Sequence, residues 1–162
     1  MFDAHYDLVL RTLRRYGFEA AAAADLVQQT YLVAVERIAF IEPGRERAFL
    51  MGTALRIARA ARRAAARVRP EGDLDDRLQV PSLAESQTAT VELLDQILAK
   101  LDPNLVEVFV LFHVEEFTAP EIAQALELPV GTVASRVRRA REEFRAAAAR
   151  LAHQFRREED GR

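Results

Sequence analysis

Phe117-Thr118-Ala119-Pro120-Glu121-Ile122-Ala123-Gln124-Ala125-Leu126-Glu127-Leu128-Pro129-Val130-Gly131-Thr132-Val133-Ala134-Ser135-Arg136-Val137-Arg138-Arg139-Ala140-Arg141 reads as two short helices joined by a tight turn. Thr118 is a good N-cap, and Glu121 three positions later completes a capping box. Pro120 falls in the first turn, where its missing N–H costs nothing. Ile122 and Leu126 make a one-turn apolar pair, with the small Ala123 between them to let a second helix approach. Leu128-Pro129 ends the turn and starts the next helix. From there Val133, Val137, Ala140, Phe144, Ala147 and Leu151 recur at steps of four and three, an inward stripe. Thr132, Ser135, Arg136, Arg138 and Arg139 lie away from it. Arginine forks onto guanine or phosphate oxygens, and Ser and Thr bond either. An ordinary amphipathic helix would also expose arginines. The capped first helix, the turn and the Gly131-Thr132-Val133 start turn the balance toward a DNA-reading helix-turn-helix.

Upstream, Leu93, Leu94, Ile97, Leu98 and Leu101 lead into the same unit, which is expected over 91–152. Asp102-Pro103-Asn104 is a turn, and Val106 to Val114 a strongly apolar helix. Residues 70–90 hold Pro70, Gly72, Pro81, several acids and little periodicity, and read as a flexible linker. Residues 1–69 form a first helical unit. Phe2, Tyr6, Val9, Leu10 and Leu13 have helical spacing, and Gly17 stops that helix. A second helix is expected from Ala20 to Phe40 with Val27, Tyr31, Ala34 and Ile38 inward. A third is expected from Glu46 to Val68, with a seam of Leu50, Ala54, Ile57, Ala61 and Ala64 and with Arg56, Arg59, Arg63 and Arg67 along another side. The end, 153–162, is a charged tail, expected to be solvated and frayed. The fold class is therefore all-α, two small helical domains.

The chain of 162 residues carries a formal net charge of −2, but its distribution says more than its sum. Arg45 to Arg69 is strongly basic, Glu71 to Glu121 acidic, and Arg136 to Arg150 basic again. Two basic blocks flanking an acidic one suggest two DNA contacts. Cysteine is absent, which excludes disulfides and thiolate metal sites. No apolar run approaches the ~20 residues of a membrane span, and Met1-Phe2-Asp3 lacks a signal peptide's basic start. His5, His113 and His153 show no ligand spacing. No phosphate-cradling glycine loop or catalytic constellation is visible, so neither enzyme activity, a metal nor a cofactor is expected. The Glu115-Glu116 pair reads as an acidic lead-in to the helix-turn-helix.

With both units in view, the chain resembles the extracytoplasmic-function group of bacterial sigma factors, two-domain members of the sigma-70 family. Leu101 to Arg145 is similar to that family's fourth conserved region, most specifically at Glu121-Ile122-Ala123 and Gly131-Thr132-Val133-x-Ser135-Arg136-x-x-Arg139-Ala140-Arg141. Asp25-Leu26-Val27-Gln28-Gln29-Thr30-Tyr31-Leu32 resembles the stretch with which the family docks on the β′ clamp helices of RNA polymerase. Phe49-Leu50 sits where the family has Trp-Leu, opening the helix that handles the −10 promoter element.

The resemblance implies a transcription-initiation factor acting in the cytoplasm. It would direct polymerase core to promoters through the β′ clamp helices and the β flap, without membrane insertion; an anti-sigma factor is a further partner the family uses. Polymerase binding falls to Asp25, Gln28, Gln29, Leu32 and Glu36, which share a helix face that pattern alone would leave as solvated surface. The −10 element falls to Arg56, Arg59, Arg63 and Arg67, spaced about one per turn, a stripe suited to the phosphates of a melted strand. The −35 element falls to Thr132, Ser135, Arg136, Arg138 and Arg139. The sequence also departs from the family. Arg56 replaces a usual Asn, Ala60 a usual Asp, Glu127 a turn glycine, Ala134 a long base-reading side chain and Val106 a frequent arginine. Two other readings stay open: a stand-alone helix-turn-helix regulator, and a sigma-like adaptor that binds polymerase without melting DNA.

Overall fold

The computed structural model describes residues 3–68 and 89–160. Seven α-helices and one 3₁₀ turn account for nearly all of them, with no strand among the described residues. The helices are α1 (Asp3–Arg15), α2 (Ala20–Glu36), α3 (Glu46–Val68), α4 (Ala89–Leu98), α5 (Pro103–His113), α6 (Ala119–Leu126) and α7 (Val130–Asp160). The linker expected over 70–90 falls, but for its last two positions, outside the described residues.

Gly17 stops α1 as expected. Its φ is +83°, and Gly17 N–H donates to Arg14 O while Phe18 N–H donates to Leu13 O, the paired bonds of a Schellman cap. The second helix is shorter than the sequence suggests. It ends at Glu36, and the chain tightens into a 3₁₀ turn over Ile38–Phe40 before Pro43 bars further helix. The early stop turns Ile38 outward, so only Val27 and Ala34 of the expected stripe are fully buried, with Tyr31 half-buried. In α3 the expected seam is too narrow. Ala48, Leu50, Met51, Ala54, Leu55 and Ala58 are buried, whereas Ala64 is exposed. The reason is position: α3 packs on α1 and α2 and also on α6, so its middle is covered from two directions.

In the second unit, Asp102 caps α5 by accepting from Asn104 N–H at 2.8 Å. Thr118 and Glu121 form the capping box of α6, with Glu121 Oε2 accepting from Thr118 N–H at 2.7 Å. Glu127 follows in the left-handed region at φ +55°, a conformation that costs a non-glycine residue about 1 kcal/mol. Ala123 O accepts from Leu128 N–H and closes the turn. The inward stripe of α7 is as read from the sequence: Val133, Val137, Ala140, Ala147 and Leu151 are buried, and Phe144 stacks on Phe109 at 5.1 Å between centroids. This helix does not fray at the expected tail boundary. It runs 31 residues, to Asp160, about 46 Å at 1.5 Å per residue.

Two apolar cores result. One is built by α4, α5 and α7 around Leu98, Val106, Phe109 and Ala140. The other joins the two units: Val9, Leu13, Val27, Met51 and Leu55 pack in one cluster with Leu111, Phe117, Ile122, Ala125 and Val133. At its centre α3 and α6 meet closely. A Cβ placed on Gly52 would lie 2.8 Å from Ala125 O, so only glycine permits this approach.

Candidate nucleic-acid and partner interfaces

The start of α7 projects its polar residues away from the core. Ser135, Arg138 and Arg139 are exposed, while Thr132 and Arg136 are partly covered. Ser135 Oγ donates to Thr132 O at 2.9 Å. Arg138 and Arg139 reach Glu142 and Glu143 one turn on, at 3.4 and 3.7 Å. Both guanidinium-bearing side chains are well over half exposed, 72% and 62%. Pairs of that kind are worth little in water and yield readily to a base edge or a phosphate.

The α3 arginines do not behave as one stripe. Arg63 and Arg67 are exposed. Arg56 pairs with Glu127, in the turn after α6, and donates to Thr53 Oγ1 at 3.2 Å. Arg59 pairs with Glu107 of α5. Burial pushes the Glu107 carboxyl above the usual carboxylate range, against the pull of the Arg59 and Arg136 guanidiniums. Burial likewise pushes the neighbouring Tyr16 hydroxyl well up, with the Glu107 charge adding to it. Arg62 lies off the stripe and is structural: it donates to Tyr16 O at 3.0 Å and covers the Phe18 ring at 4.7 Å.

Along α2, Asp25, Gln28, Gln29, Leu32 and Glu36 are all exposed on a face distinct from Val27 and Ala34. Leu32 is 59% exposed. The surface continues past what the sequence indicated, through Val35, Ile38 and Phe40, the last 85% exposed. Val35 follows Leu32 by three residues and so is its neighbour on the helix surface. The helix pattern concealed Ile38 because it assumed a longer α2.

Glu115, in the acidic lead-in to α6, has a structural part that the sequence did not indicate. It is a buried carboxylate, its side chain 1% exposed, held by Arg15 and by Arg11 at 3.4 Å. Arg47 donates to the Glu115 and Glu116 carbonyls and lies 3.9 Å over the Phe117 ring. The available signal was an acidic pair, Glu115-Glu116, set between the apolar residues Val114 and Phe117. Of the histidines, His113 sits between the rings of Phe109 and Phe112, at 4.7 and 4.9 Å. Among the described residues no group of His, Cys, Asp and Glu is arranged to hold a metal ion, and no helix is long and apolar enough to cross a membrane.

Two family models match the chain: Sigma-70 region 2 over residues 1–68 and Sigma-70, region 4 over residues 91–144. No curated protein matches it by sequence. Among solved structures it is similar to the sigma factor RpoE of Bartonella quintana, solved with the anti-sigma factor NepR. The identity is 23% and the TM-score 0.64, over 90% of this chain and 95% of that one. It is also similar to CnrH, solved with the cytosolic domain of CnrY, at 28% identity and a TM-score of 0.56, over 88% of this chain and 82% of that one. α6 and the start of α7, which form the helix-turn-helix, lie within the region 4 match and the arginine-bearing α3 within the region 2 match, so the chain belongs to the sigma-70 family.

Proposed function

We propose that this sigma factor directs RNA polymerase core to specific promoters and starts transcription there. The observation that carries the reading is the placement of two exposed arginine faces on different units. Arg138 and Arg139 stand on α7, Arg63 and Arg67 on α3, and the α2 face stays open for a protein partner. Arginines 138 and 139, with Ser135, have the reach and chemistry to read a −35 major groove. Arg63 and Arg67, joined by Arg56 and Arg59, suit the phosphates and bases of a melted −10 strand. Asp25, Gln28, Gln29, Leu32 and Glu36 would grip the β′ clamp helices, with Val35 extending the apolar part of that contact. The polymerase does the chemistry; this chain supplies address and strand separation.

The test is run-off transcription from a promoter library with purified core polymerase. Discrete start sites that require the chain support the reading. Core binding without transcripts would instead indicate an adaptor, and tight promoter binding without core a stand-alone regulator.

A further inference from the structure

We propose that the cleft between α1 and α2 binds a small amphiphilic carboxylate, its acid held by Arg11 and Arg14 and its apolar body seated on Leu10, Ala20 and Ala24. The cleft has a volume of about 460 Å³ and is lined by those five residues and Asp7. Small-ligand sites run from roughly 300 to 1,000 Å³ and combine apolar walls with a few convergent polar groups. The sequence explains the space. α2 opens on Ala20-Ala21-Ala22-Ala23-Ala24, and residues four apart share a helix face. Ala20 and Ala24 therefore bring only methyl groups to the gap between the helices. On α1, Asp7, Leu10, Arg11 and Arg14 follow at steps of three, one and three, a single face. Farther from the connecting turn the helices do touch: Tyr6 of α1 stacks on Tyr31 of α2, with ring centroids 6.2 Å apart.

The charges around the cleft select an anion. Arg11, Arg14 and Arg15 stand against Asp7 and Glu115, an excess of one positive charge. Arg15 holds Glu115 more closely than Arg11 does, whose contact is 3.4 Å long and whose side chain is 43% exposed. Arg11 can therefore turn to a ligand at little cost. A guanidinium matches a carboxylate with two parallel N–H donors. Asp7 repels a second negative charge in the same lining, so a monoanion suits the cleft better than a phosphate monoester. The apolar wall rewards a hydrocarbon body attached to that acid. None of the six lining residues belongs to the faces assigned above to DNA or polymerase, so the inference stands apart from that reading.

Equilibrium dialysis of the full chain against radiolabelled decanoate, below its micelle concentration, tests the proposal. Saturable binding at one site per chain is expected. Decanol, of equal length and without charge, should bind at least about tenfold more weakly, as expected for losing a charge-assisted hydrogen bond. Decanoate should lose at least as much on Arg11→Gln with Arg14→Gln. Ala24→Leu fills the cleft without altering a charge and should abolish binding. Circular dichroism checks its fold, and Ala20→Leu takes its place if it does not fold. Absence of saturable binding at millimolar decanoate overturns the proposal. So does a decanoate site that the leucine variants leave intact, a decanol affinity equal to that of decanoate, or a decyl phosphate affinity above it. Flotation with phosphatidylglycerol vesicles separates a free acid from a membrane surface. Chain that floats with them equally with alanine or leucine at position 24, while decanoate finds no site, assigns the arginines to a lipid surface and overturns the proposal as well.

Discussion

Arg139 concentrates the −35 argument in one side chain. It is exposed, and its Glu143 partner is one turn away on the same helix, so little is lost when it turns to DNA. Arg139→Ala should cost about 1–3 kcal/mol on a cognate −35 duplex if it forks onto a base, and much less on unrelated DNA. An equal loss on both sequences, measured by fluorescence anisotropy, would reassign it to a phosphate. Glu107 allows a second forecast. Its carboxyl is raised, chiefly by burial, so the folded chain holds that proton more tightly than the unfolded one does. Its contribution to stability is present in full below the ordinary Glu range and declines as pH rises through the raised value. Glu107→Gln should remove that part of the downward slope of Tm with pH; identical slopes in parent and variant would contradict the burial argument. At this scale the sequence was legible where a residue's role is local, as for Thr118 and Gly17. Glu115 and Glu107 escaped it because their partners, Arg15 and Arg59, lie 100 and 48 residues away, and no periodicity encodes such a pair.

The helices show which signals the sequence carries well. The capping box of α6 and the stripe of α7 were readable because both are set by spacings within one turn or two. Thr118→Ala removes the cap that serves Glu121 N–H and should cost about 1 kcal/mol, seen as a lower denaturant midpoint with an unchanged slope. Glu127→Gly should do the opposite. It relieves a left-handed backbone at φ +55° and surrenders only a half-exposed ion pair, for a gain of about 0.5–1 kcal/mol. A drop in midpoint would mean that Arg56–Glu127 matters more than its exposure suggests. The seam of α3 and the end of α2 were the elements misjudged. For α3 the cause is a second neighbour, α6, whose contact no pattern within α3 could announce. For α2 the 3₁₀ turn breaks the helical period just where Ile38 and Phe40 leave the core.

On the scale of the whole molecule, the order of regions and the all-α class followed from charge blocks, turns and the family resemblance. The closed association of the two units did not. It depends on Gly52 meeting Ala125 and on Glu115 meeting Arg15, contacts between segments that the sequence separates by a linker. The central claim is that α3 and α7 address two separate promoter elements on behalf of polymerase. Hydroxyl-radical footprinting of the complex of this chain, core polymerase and a selected promoter tests it most directly. The account predicts two protected blocks, with Arg139→Ala weakening only the upstream one and Arg63→Ala plus Arg67→Ala only the downstream one. A single protected block, or both blocks weakened equally by either change, would contradict it.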